Sequence, residues 1–177
     1  MTRNTLFNVI PVAVFIIICL ILFGGLFLNE DLPSARIGKP LPYFHIKTLD
    51  EKYIDSNDFK GHFSLINVWS TWCSNCLLEH DFLNSLAQDG VIIYGLNYKD
   101  DLQAAQNWLQ ENGNPYKAVG VDASGDLGIE LGVYGTPETY LIDPTGKILM
   151  RYAGLLDNKS WKRFFVPKMQ PHEESIK

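Results

Sequence analysis

Apolar and polar residues alternate along this chain in three ways, and each predicts a different kind of element. From Val9 to Leu28 the chain is almost continuously apolar, and no charged side chain lies between Arg3 and Glu30. A bilayer core of roughly 30 Å is crossed by about 20 such residues in a helix, so this stretch predicts one transmembrane span. A cleaved secretory signal would carry a shorter apolar core, roughly 7 to 15 residues, followed by a small-residue cleavage site. No Ala-x-Ala-like site follows Leu28, which favours an uncleaved anchor. Arg3 precedes the span while Glu30 and Asp31 follow it, so residues 1–8 are expected in the cytoplasm and the rest of the chain outside it. Pro11 is tolerated near the start of such a helix, and Gly24-Gly25 is ordinary for a membrane segment. Cys19, among Ile and Leu, reads as a buried apolar filler.

Beyond the span the period changes. Residues 29–37 read as a polar linker, 38–168 as one folded domain and 169–177 as a polar tail. Gly38-Lys39-Pro40-Leu41-Pro42 forces an extended start. Strands are predicted at Tyr43–Thr48 and Phe63–Trp69, the latter apolar enough to be covered on both faces. A helix from Cys73 to about Gln88 is expected to bury Leu78, Phe82, Leu83 and Leu86, to expose Glu79, Asp81, Asn84 and Gln88, and to stop at Gly90. Val91–Asn97 repeats the buried-strand pattern, and Asp101 caps a helix through Glu111. Short elements follow: a strand at Ala118–Val121, a helix at Gly125–Leu131 and a strand at Glu138–Ile142. The turn Asp143-Pro144-Thr145-Gly146 leads into a strand at Lys147–Tyr152, and a helix at Asn158–Phe165 ends the series. Strand-helix alternation predicts right-handed parallel crossovers, and the four-residue turn predicts an antiparallel hairpin. The expected fold class is α/β, a mixed central sheet with helices on both faces.

Composition narrows the function. The chain of 177 residues carries a net charge of −5 with no Lys/Arg stripe, which argues against nucleic-acid binding. Of its three cysteines, only Cys73 and Cys76 lie outside the apolar span, too few for a disulfide-stapled scaffold. They fall where an apolar strand gives way to an amphipathic helix. Two thiols so spaced can close a short disulfide, and unpaired N–H groups and the helix dipole stabilise the first as a thiolate. This is the pattern of a redox dithiol.

Three segments then carry a resemblance. Leu65-Ile66-Asn67-Val68-Trp69-Ser70-Thr71-Trp72-Cys73-Ser74-Asn75-Cys76 resembles the active-site run of membrane-anchored thioredoxin-like proteins. Gly135-Thr136-Pro137-Glu138-Thr139-Tyr140-Leu141-Ile142-Asp143 and Gly95-Leu96-Asn97-Tyr98-Lys99-Asp100 resemble the DsbE/CcmG group within them. The resemblance implies a thioredoxin-like fold behind one N-terminal transmembrane helix. It also implies a thiol:disulfide oxidoreductase on the bacterial inner membrane, facing the periplasm, that serves cytochrome c maturation without a cofactor. Its partners would be apocytochrome c, through a Cys-x-x-Cys-His segment, a DsbD- or CcdA-type membrane electron donor, and other maturation components.

Roles follow from position within that resemblance. Cys73 is expected as the exposed nucleophile and Cys76 as the buried resolving thiol. Pro137 matches the family's cis-proline, beside which Thr136 offers backbone groups to substrate. Trp72 is expected on the docking surface and Trp69 in the core. Where thioredoxin places a buried Asp, this chain has Asn67, which cannot exchange a proton. Glu138 is therefore the expected proton-transfer group, its pKa raised by burial. Ser74-Asn75 departs from the family's Pro-Thr or similar dipeptide, which leaves redox poise and the direction of electron flow open.

Other residues read as structural. Glu79 and His80 are expected on a solvated face or partner-contact rim. Cys76 with His80 admits a metal reading, but two thiols and one imidazole fall short of the usual four ligands, so no metal is expected. Asn158-Lys159-Ser160 matches a glycosylation pattern, though Asn158 is better read as a helix cap. Two functional alternatives stay open: a general periplasmic disulfide exchanger or oxidant of the same fold, and a non-catalytic tethered binding or metallochaperone module.

Overall fold

The computed structural model describes the backbone of residues 3–25 and 36–169, with side chains at 10–23 and 36–169. The chain divides into two compact units, Met1–Pro33 and Ser34–Lys177. In the first, helix α1 spans Arg3–Gly25 and contains Pro11. Its large apolar side chains at 10–23 are all exposed, and so is Cys19, which among the described residues is not the buried filler expected. Among the described residues no helix is long and apolar enough to cross a membrane. The end of the expected span after Gly25, most of the linker and the tail beyond Met169 lie outside the described residues.

The second unit is built on a five-stranded sheet. Its strands are β3 (Ser64–Trp69), β4 (Ile93–Tyr98), β5 (Ala118–Asp122), β6 (Glu138–Ile142) and β7 (Ile148–Ala153), in the order β5-β4-β3-β6-β7. β3, β4 and β5 run parallel, while β6 and β7 form the antiparallel hairpin that the 143–146 turn predicts. Every residue of β3 is buried, because both faces of the sheet are covered. Alternation sorts its side chains into two cores. Leu65 and Trp69 pack under α2 (Ser74–Gln88), α3 (Leu102–Asn112) and the C-terminal helical segment, with Leu83, Leu109 and Phe165. Ile66 and Val68 face the other way, toward α4 (Asp126–Leu131), with Leu96, Leu127 and Tyr140.

Three local expectations change. The first predicted strand is a hairpin, β1 (His45–Lys47) with β2 (Tyr53–Asp55), that closes on the edge strand β5 through Thr48 and Gly120. Ile46 lies where a side chain at 120 would have to stand, which is why glycine occupies that position. The last helix runs further than Phe165. It comprises α5 (Asn158–Ser160), a π-helical turn (Trp161–Phe165) and α6 (Val166–Met169). Its cap is Asp157, not Asn158: the Asp157 carboxylate accepts the Ser160 N–H in a reciprocal capping box.

On α2 the buried stripe is Cys76, Glu79, His80, Leu83 and Leu86. Leu77 and Leu78 are exposed. The helix is rotated from the expected face because Cys76 must reach the core, and residues three and four further on follow it inward.

Candidate active site

Strand β3 delivers the chain to the sheet's C-terminal edge, and the turn Ser70–Trp72 leads into α2. Cys73 is the N-cap of that helix, in extended conformation, and its Sγ accepts the Cys76 N–H at 3.1 Å. Cys73 and Cys76 are joined as a disulfide, with Cα atoms 5.3 Å apart. Both are nearly enclosed in this oxidised state, but unequally: Cys73 keeps 8% of its surface open and Cys76 2%. The exposed Cys73 expected from sequence is thus corrected to a largely buried residue that stays the more open of the two. An attacking thiolate reaches Cys73 first.

Across from the dithiol turn, the Thr136–Pro137 peptide bond is cis. Pro137 is buried and Thr136 half-buried, and the Thr136 and Ser70 hydroxyls lie 3.3 Å apart, linking the two loops. Trp72, 60% exposed, flanks the site, while Trp69 is fully buried as expected.

Glu138 follows Pro137 directly and is buried. Its carboxylate forms an ion pair with Arg151, through Nε at 2.8 Å and Nη2 at 2.6 Å, and accepts the Tyr134 and Gly135 N–H groups and the Tyr140 hydroxyl. Alternation places Glu138 on the sheet face of Val68 and Tyr140, whereas Cys76 packs on the face of Leu65, Trp69 and Leu141. This corrects the expectation that Glu138 transfers the resolving thiol's proton. It is turned away from Cys76, and a buried guanidinium compensates its charge. The carboxylate instead ties the 134–137 loop to the hairpin, with the exposed Tyr134 ring over the Arg151 guanidinium at 4.5 Å.

The carboxylate under the dithiol is Glu79, one helical turn after Cys76 and 1% exposed, not the solvated residue expected. Its Oε1 accepts Asn67 Nδ2 at 2.8 Å and its Oε2 the Leu156 N–H at 2.7 Å. Both donors are neutral. Burial raises its pKa to about 7, against two hydrogen bonds that act to lower it. Asn67 also donates to Thr139 Oγ1, and its Oδ1 accepts the buried Tyr116 hydroxyl at 2.8 Å. Full burial holds that phenol well above its usual value. Asn67 therefore keeps the site of the thioredoxin carboxylate but only relays hydrogen bonds. No sequence signal marked Glu79 as titratable, since its partners lie twelve positions before it and seventy-seven after.

His80 is also buried rather than solvated. Its Nε2 donates to the Gly113 carbonyl at 2.9 Å, and its ring packs edge-on against Trp108. Burial lowers its pKa, only partly offset by the bond to Gly113. Among the described residues, no group of three or more His, Cys, Asp and Glu side chains is placed to hold a metal ion.

This geometry can be set beside known proteins. Residues 36–160 match the Redoxin family. The chain is 47% identical over 164 residues to the thiol:disulfide interchange protein DsbE of Pseudomonas aeruginosa, covering 91% of each chain. It is 41% identical over 174 residues to the Escherichia coli K12 protein of that name, covering 93% of this chain and 94% of that one. Among solved structures, it is similar to the thioredoxin domain of a thiol-disulfide oxidoreductase from Bacteroides vulgatus. That match has a TM-score of 0.62 at 23% identity, over 79% of this chain and 100% of the other. A secreted Mycobacterium tuberculosis disulfide oxidoreductase gives a TM-score of 0.57 at 20% identity, over 65% and 84% of the two chains. At these identities the solved structures establish the thioredoxin-like fold.

Proposed function

The chain belongs to the Redoxin family and, within it, to the DsbE-type thiol:disulfide interchange proteins; on that premise we propose that it reduces the haem-attachment disulfide of apocytochrome c on the periplasmic side of the bacterial inner membrane. It is a thiol:disulfide oxidoreductase, so the chemistry is exchange between sulfurs. In the reductive direction the Cys73 thiolate attacks one sulfur of the substrate disulfide. A Cys73–substrate bond forms, and the displaced substrate sulfur leaves as a thiolate and takes a proton. Cys76 then loses its proton and attacks Cys73 Sγ. This breaks the mixed disulfide, frees the second substrate thiol and leaves the Cys73–Cys76 disulfide, two electrons having passed to substrate. A DsbD- or CcdA-type membrane dithiol would return the protein to its reduced form.

The single observation that carries the assignment of roles is the asymmetry around the dithiol. Cys73 caps α2 and keeps the more open surface of the pair, while Cys76 is enclosed one turn before a carboxyl that has no charge partner and a pKa raised to about 7. Glu79 is the group we assign to accept the Cys76 proton, in place of Glu138. The apolar, charge-free sequence from Val9 to Leu28 supports a membrane anchor, and the need for a dedicated reductant in an oxidising compartment supports the substrate. Cys76→Ala tests the reading directly. Mixed with an oxidised Cys-x-x-Cys-His peptide, the reduced variant should accumulate a covalent complex through Cys73, and absence of that complex removes the assignment.

A further inference from the structure

The loop between β4 and α3 grips the residues just before the nucleophile at two points that the exchange chemistry does not use. Asp100 binds Thr71 with both carboxylate oxygens: the Thr71 N–H donates at 2.6 Å and the Thr71 hydroxyl at 2.7 Å. The carboxylate is itself fixed by Asn97 Nδ2 and by the Asp101 N–H, each at 2.9 Å. Asn97 is buried on β4 in register with Trp69, and Asp101 caps α3 through the Ala104 N–H, so both props belong to rigid elements. At the second point the Trp72 indole Nε1–H donates to the Lys99 carbonyl at 3.1 Å. Lys99 presents that carbonyl from a φ of 49°, a left-handed backbone unfavourable for any L side chain. Its N–H is held by the Asp122 carbonyl. Such a conformation persists only where its surroundings over-determine it, and such residues cluster at ligand clamps.

The result is an indole 60% exposed yet fixed in direction beside Cys73. A freely rotating aromatic loses rotamer freedom whenever a partner docks on it, whereas one already held does not. We infer that Asp100 is a positioning residue which, with the Lys99 carbonyl, locks Thr71–Trp72 and presents the Trp72 indole in one orientation as a docking surface for the polypeptide whose disulfide Cys73 attacks. It acts on recognition, through Trp72, and takes no part in handling the Cys76 proton. The inference rests on thiol:disulfide exchange with a polypeptide, whichever polypeptide that is.

Reduction of insulin by the full chain tests it independently of the apocytochrome reading. Asp100→Asn should raise KM about tenfold with kcat within about twofold, the range set by immobilising one large side chain. The Trp72 indole N–H, followed by hydrogen exchange, should exchange about tenfold faster in that variant. Thr71→Ala, a milder cut of the same clamp, should shift KM in the same direction by about two- to threefold. If Asp100 acts through Trp72, adding Trp72→Phe to Asp100→Asn should raise KM less than the product of the two single effects. Multiplicative effects, a fall in kcat at constant KM, or an indole proton that exchanges as in wild type would each overturn the inference.

Discussion

Two carboxylates are buried near the disulfide, and they differ in what faces them. Glu138, beside the cis-proline, meets a guanidinium and three further donors; Glu79, beneath Cys76, meets only an amide and a backbone N–H. The first is a strut. Its charge is compensated, and its hydrogen bonds hold the 134–137 loop in place. The second is the group suited to carry a proton, since burial without a charge partner favours the neutral form of a carboxyl and pushes its pKa up to about 7. Closeness in sequence to the catalytic loop therefore does not identify the titrating group. The absence of a charge partner does.

The comparison breaks first at Arg151. Arg151→Met would leave Glu138 buried without its cation and should cost about 3–5 kcal/mol in denaturant unfolding. A cost below about 1 kcal/mol would mean the ion pair is no strut. The next effect concerns Glu79 and has a definite sign. Its folded pKa is raised from 4.5 to about 7, so the folded state holds the extra proton between those values. The stability it contributes is complete below about pH 4.5 and is lost as pH rises through 7. Relative to Glu79→Gln, which does not titrate, wild type should lose about 3 kcal/mol between pH 4 and pH 8. Measuring the difference between the two proteins also removes the opposing contribution of His80, whose lowered pKa favours folding above 6.5. The smallest effect lies on the opposite face of α2. Leu78→Ser should change stability by less than about 0.5 kcal/mol, because the helix exposes this leucine while it buries a glutamate.

Much of this was legible in the chain. The apolar runs 64–69, 93–98 and 138–142 are the three inner strands of the sheet, and the paired cysteines stand at the helix start their spacing predicts. What was not legible depends on distant partners. Leucine spacing places Leu78 inside and Glu79 outside, whereas the helix turns Cys76 and with it Glu79 inward, where the Asn67 amide and the Leu156 N–H, contributed by β3 and by the segment after β7, satisfy the carboxylate. Strand alternation alone, by contrast, sets Glu138 and Tyr140 on one face, away from Leu141 and the dithiol. The hairpin partner Tyr53–Asp55 is too short to show a period, and the π-helical turn at Trp161–Phe165 has no sequence signature of its own.

The most direct measurement is the pH dependence of substrate release from a preformed mixed disulfide between Cys73 and a Cys-x-x-Cys-His peptide, compared in wild type, Glu79→Gln and Glu138→Gln. The release step should inflect near pH 7 in wild type and in Glu138→Gln, while Glu79→Gln should lose the inflection and slow by about 10²-fold or more. An unchanged profile in Glu79→Gln, or loss of the inflection only in Glu138→Gln, would contradict the account.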